Sequence, residues 1–119
     1  MIDFLYRIPK FPIICSIDDV LIMAKSVSEF QHRIDKVDLT PNTRYSMVDS
    51  TGADWEFYTK QMYVMPSLKR KWSKKRIVQA YNDSQNCQRV GITYSEKSLS
   101  SKRFEKIFSD IVGLIEQAQ

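Results

Sequence analysis

Six of the eight residues running Lys69, Arg70, Lys71, Trp72, Ser73, Lys74, Lys75, Arg76 are cationic, grouped around one tryptophan. Lysine and arginine at this density offer charge-assisted hydrogen bonds to phosphates or carboxylates, so the chemistry on offer is recognition of an anion. The segment follows the rules for a helix start and then inverts one. Ser73 reads as an N-cap, and Trp72 just before it can staple against Ile77 four residues into the helix. Lys74, Lys75 and Arg76 then fill the first turn, where the positive end of the helix dipole disfavours exposed cations by about 0.3–1 kcal/mol each. A local rule broken inside an otherwise consistent segment is where function is expected to show. Helix-start amides beside clustered Lys and Arg would make a strong anion site. The plain alternative is a solvated basic face with Trp72 packed in the core.

Catalytic constellations are poorly represented. Three glycines, at positions 52, 91 and 113, cannot assemble a phosphate-cradling loop or a dinucleotide fingerprint. His32, the single histidine, stands beside Gln31 and Arg33 without the helical spacing of a metal pair, and reads as structural. Cys15 and Cys87 lie in no CxxC or nucleophile context and are expected to be free thiols in a reducing compartment. Carboxylates offer the remaining route: Asp18 and Asp19 could meet Asp49, Asp54 and Glu56 if two hairpins end side by side, as a metal-dependent nuclease would require. Neither Glu-x-Lys nor calcium-loop spacing is present, so turn aspartates and a cross-strand pair are expected. The sequence implies no metal and no cofactor.

The elements that must position these residues can be read from composition and period. With 119 residues, 43% apolar and 27% charged, the chain reads as one compact domain over 1–119 that needs neither disulfide nor metal to hold a core. Its charge is local: residues 1–66 hold seven Lys/Arg against nine Asp/Glu, a net −2, whereas residues 67–119 hold eleven against five, a net +6. The longest apolar runs, such as 20–24, fall far short of the roughly 20 residues a membrane span needs. Asp3, Arg7, Lys10, Asp18 and Asp19 interrupt anything resembling a secretory leader, so a cytoplasmic location without membrane contact is expected.

Ile13 to Ile17 and Val20 to Met23, apolar on both parities around Asp18-Asp19, predict two short strands; a capped helix over the same stretch is the competing reading. Ser26 with Glu29 signals a capping box, and Val27, Phe30, Ile34 and Val37 predict a helix over 27–37. Residues 44–60 predict a hairpin, with Trp55 and Phe57 on one face and Glu56, Tyr58 and Lys60 on the other. Residues 62–65 prolong that strand or form another, closed by Pro66. Beyond the basic segment come a helix over 74–82, a polar loop over 82–86, a last strand over 90–94 and a C-terminal helix whose stripe runs from Phe104 to Ile115, capped by Ser100 or Ser101. Gly113 costs that helix about 1 kcal/mol relative to alanine, a cost that a close contact with the sheet would explain. The expected fold is α+β: a small antiparallel or mixed sheet with about three helices packed mainly on one face.

These expectations favour a small non-enzymatic binding protein that docks on another protein and regulates or inhibits it, of which an immunity or antitoxin protein is one concrete form. The partner would present an acidic surface to Lys69, Arg70, Lys71, Trp72, Lys74, Lys75 and Arg76. Tyr58, Lys60 and Tyr63 would adjoin it, within a hairpin whose Tyr45, Met47, Tyr58, Met62, Tyr63 and Met65 are the adaptable groups that binding surfaces favour. Nucleic acid is the alternative anion, with phosphates on the same cations and Trp72, Tyr58, Tyr63 or Tyr81 stacking on bases.

Overall fold

Two adjacent aspartates set the first hairpin. Asp18 and Asp19 both take positive φ, 46° and 65°, the backbone of a two-residue turn whose twist matches its flanking strands. They join β2 (Ile13–Ile17) to β3 (Val20–Ala24), so the strand pair forms and the competing helix does not. The computed structural model describes residues 1–117. Its strands also include β1 (Asp3–Phe4), β4 (Arg44–Asp49), β5 (Asp54–Tyr58) and β6 (Tyr63–Pro66). Together they make one six-stranded sheet in the order β1-β6-β5-β4-β2-β3. Every pairing is antiparallel except β1 with β6, so the sheet is mixed.

Successive strand residues point to opposite faces, and both faces are covered in the middle of the sheet. That is why Ile13, Ile14 and Cys15 are all apolar and all buried. One face packs Ile14, Leu21, Met23 and Val48 against α2 (Lys74–Asn82), α3 (Gln85–Val90) and α4 (Phe104–Gln117). The other packs Ile13, Cys15, Met47, Trp55 and Phe57 against Phe30 and Ile34 of α1 (Val27–Ile34). The fold is α+β as expected, with three helices on one face, a fourth on the other, and a sheet larger than foreseen. The two cysteines are buried and free, in cores on opposite sides of the sheet. Burial pushes the Cys15 thiol well above its ordinary range.

Several local expectations are corrected. Helix α1 stops at Ile34, because Lys36 and Val37 donate to carbonyls three residues back (3.2 and 3.0 Å), the tight last turn that ends many helices. The expected polar loop is instead the start of α3, capped by Ser84 (Cys87 N–H to Oγ, 3.2 Å) and ended by left-handed Gly91. The strand expected over 90–94 is absent. Tyr94 is held instead by Asn82, whose side chain accepts from its N–H (2.8 Å) and donates to its carbonyl (3.0 Å). Helix α4 begins at Phe104, where the Arg103 carbonyl accepts from Lys106 and Ile107, so neither Ser100 nor Ser101 caps it. Gly113 is exposed and a Cβ built there meets nothing within 4 Å, so no close approach to the sheet explains it.

Helices α2, α3 and α4 gather over the β2–β3 end of their face. At the other end of the same face Glu56, Tyr58, Tyr63 and Met65 remain partly open to solvent. The basic segment leaves β6 beside this uncovered patch.

Candidate functional site

The chain between β6 and α2 is an arch with pinned feet. Ser67 N–H donates to the Asp54 carbonyl (3.0 Å) and Trp72 N–H to the Gly52 carbonyl (2.8 Å), so both ends are fastened to the β4–β5 hairpin. Between them Leu68, Lys69, Arg70 and Lys71 are all exposed, and Leu68 is fully so. Among the described residues none of the three cations of the arch joins a salt bridge. Short, tethered and unpaired, the arch presents three positive charges and one apolar side chain on a fixed base.

Trp72 belongs to that base rather than to the exposed face. It is only 6% exposed, its indole Nε1–H donates to Asp54 Oδ1 at 2.6 Å, and the Arg76 guanidinium lies over its ring at 3.8 Å. Arg76 Nη1 stands 3.8 Å from the same Asp54 oxygen. Ser73 caps α2 as expected, its Oγ accepting from Arg76 N–H at 3.1 Å, and Trp72 and Ile77 share the core cluster. Lys74 turns toward the C-terminal region and donates to the Leu99 carbonyl at 3.1 Å. Of the first-turn cations, Lys75 alone is exposed and, among the described residues, without an ion-pair or hydrogen-bonding partner for its ammonium. The structure thus divides the predicted set: Lys69, Arg70, Lys71 and Lys75 face solvent, while Trp72, Lys74 and Arg76 are tied into the fold. Tyr81 is fully buried, its hydroxyl bonded to the Ile92 carbonyl (2.6 Å) and its pKa pushed up to about 12, chiefly by burial. Neither Trp72 nor Tyr81 can stack on a base.

Of the neighbouring residues, Tyr45 and Met47 are core. Tyr58 and Tyr63, directly paired across β5 and β6, meet edge to face at 5.0 Å. Tyr58 also donates to Glu56 Oε2 (3.1 Å), which in turn stands 3.6 Å from Arg44. A depression of about 380 Å³ opens here, bounded by Glu56, Tyr58, Met65, Leu68 and Lys69. It joins the aromatic patch to the arch. Lys60 does not share this strand face, because the chain turns after Tyr58 and places it in the exposed β5–β6 loop.

Sequence reasoning missed one contributor, Leu68. It was visible only as a lone apolar residue in a charged loop. Tyr6 and Ile8 are exposed. Because β1 runs parallel to β6, with Asp3 opposite Tyr63 and Phe4 opposite Val64, the chain after β1 leaves the sheet at the same end as Leu68. Tyr6 also adopts φ 70°, a backbone conformation costly for a non-glycine residue.

The carboxylates considered for catalysis are engaged in structure. Asp49 is 1% exposed and accepts from Thr51 N–H and Oγ, Ala53 N–H, Lys10 N–H and the Trp55 indole. Asp54 holds Trp72, Glu56 holds Tyr58, and Asp18 and Asp19 form an exposed turn. Among the described residues no three of His, Cys, Asp and Glu gather closely enough to hold a metal ion, and no helix is long and apolar enough to cross a membrane. No family model, curated protein or solved structure matches this chain.

Proposed function

We propose that this is a small non-enzymatic binding protein that docks on an acidic surface of another protein and thereby regulates or inhibits it. The observation that carries the reading is the pinned arch, in which fully exposed Leu68 is followed by Lys69, Arg70 and Lys71, none of them ion-paired among the described residues. Cations left unpaired on a tethered loop keep their full potential for a partner's carboxylates and steer its approach. The apolar part of the contact would come from Leu68 with the half-buried Tyr58, Tyr63 and Met65, an apolar and aromatic centre with a charged border. Because the feet of the arch are already fastened, little ordering entropy would oppose binding. A cytoplasmic setting fits two buried thiols that stay reduced.

A protein partner is favoured over nucleic acid because the exposed apolar side chains have no role on a phosphate backbone, and two of the four aromatics considered for stacking are interior. Titration with mixed single- and double-stranded oligonucleotides at low salt separates the two. The docking proposal expects only weak binding that does not saturate. Tight binding that falls steeply with salt, and flattens when Lys69 and Lys71 become Gln, would instead mean nucleic acid.

A further inference from the structure

A second concentration of positive charge lies at the far edge of the sheet. β3 is the edge strand opposite β1. Helix α1 runs beside it, and α3 closes its start, the Asn86 side chain accepting from Leu21 N–H (2.8 Å) and donating to its carbonyl (2.9 Å). Between these elements is a groove of about 460 Å³, within the size range of small-molecule sites. Strand β3 supplies an apolar wall at Val20 and Ile22. Helix α1 and the turn after it supply His32, Arg33 and Lys36, and α3 supplies Arg89.

The one carboxylate lining the groove is Glu29, and it does not neutralise the site. Glu29 Oε1 accepts from Lys25 N–H at 3.1 Å and stands 3.5 Å from Arg33 Nε. That contact is an ion pair rather than a hydrogen bond, with Arg33 Nε shielded from solvent, while about a third of the Arg33 side chain stays exposed. Lys36 and Arg89 join no salt bridge among the described residues. Arg33, Lys36 and Arg89 against Glu29 leave a net charge of +2. The C-terminal ends of α1 and α3 together offset about one unit at most. The helix dipole accounts for His32 and Arg33 in the last turn of α1. The dipole of α3 likewise accounts for Arg89 in its last turn, but neither dipole accounts for both helix ends lining one groove together with Lys36.

We propose that this groove binds the phosphate group of a small ligand, held among Arg33, Lys36 and Arg89, with any organic body lying along Val20 and Ile22. Two guanidinium forks and an ammonium suit a dianion with three acceptor oxygens better than a single carboxylate. The site shares no residue with the arch and stands whether or not the docking proposal does.

The test is titration of the isotope-labelled protein with adenosine monophosphate and with inorganic phosphate, at constant ionic strength, followed by amide chemical shifts. Saturable shifts are expected at Leu21, Arg33 and Arg89. Lys36→Gln and Arg89→Gln, both at exposed positions that spare the core, should each weaken binding about ten-fold, the effect of one lost charged hydrogen bond. Lys75→Gln should leave it unchanged. Tighter binding of the nucleotide assigns the groove to an organic phosphate, and equal binding assigns it to free phosphate. Shifts that fail to saturate with either probe, or equal weakening by Lys75→Gln, would overturn the proposal.

Discussion

Asp54 and Trp72 are joined by a 2.6 Å hydrogen bond from the indole Nε1–H to Oδ1, and this bond changes the meaning of the charge pattern around it. Asp54 is the acidic group that the first turn of α2 lacks in its own sequence. It comes from β5, places a buried carboxylate beside Arg76, and holds the tryptophan over which Arg76 lies. The inversion of the helix charge rule is thereby compensated at Arg76, and at Lys74 by the Leu99 carbonyl. It stays uncompensated at Lys75 and along the arch.

Removing the carboxylate should therefore be costly. Asp54→Ala strands a buried indole N–H and leaves Arg76 without its counter-ion, with an expected loss of about 1–3 kcal/mol. Asp54→Asn keeps an acceptor for the indole and should lose less. Urea unfolding monitored by tryptophan fluorescence measures both, and equal losses would assign the effect to charge alone.

Charge reversal within α2 should have opposite signs one residue apart. Lys75→Glu complements the helix dipole and should stabilise by about 0.3–1 kcal/mol. Arg76→Glu puts a second carboxylate beside Asp54 and removes the cation over Trp72, so it should destabilise. Thermal unfolding of the two variants checks this, and stabilisation by both would mean that the Asp54 contact contributes nothing.

The glycines should separate in the same way. Gly113 has open space around a built Cβ, so Gly113→Ala should gain up to about 1 kcal/mol of helix propensity. Gly52 has φ 87° and a Cβ there would lie 3.3 Å from the Phe104 ring, so Gly52→Ala should destabilise. Midpoints of urea unfolding give both signs.

Asp110 governs part of the acid response. A hydrogen bond from Lys106, with others from Tyr94 and Lys102, holds its pKa below the ordinary aspartate range. A carboxylate depressed in the folded state adds stability above its unfolded pKa of about 4, and that stability is lost as pH falls through the lower native value. Asp110→Asn should therefore lower stability at neutral pH and flatten its decline in acid. Unfolding midpoints measured from neutral to acid pH test it, and an unchanged acid slope would count against the contact.

Legibility in the sequence followed the range of the interaction. The alternation of Trp55 and Phe57, the Ser73 cap and the α4 stripe depend on neighbours within a few residues, and each could be read directly. The Asp18-Asp19 turn could be read only as one of two alternatives, a strand pair or a capped helix. Helix α3 escaped notice because Asn86 and Cys87 are its buried residues, too few for a period, although Ser84 and Gly91 mark its ends. The roles of Trp72, Lys74 and Arg76 depend on Asp54, Leu99 and the β4–β5 turn. No local pattern shows which cation of a basic run will find such a partner. The phosphate groove has the same character, since α1, β3 and α3 each contribute only part of it.

The Leu68–Lys71 arch is proposed to dock an acidic protein surface. The most direct test is capture by the tagged protein from a nuclease-treated extract of its own cells, comparing wild type with Lys69→Glu/Lys71→Glu and with Lys36→Glu/Arg89→Glu. The two double variants change net charge equally, at opposite ends of the sheet. A stoichiometric companion should be retained by wild type and by the groove variant and lost from the arch variant. Recovery of that companion undiminished by Lys69→Glu/Lys71→Glu would contradict docking through the arch.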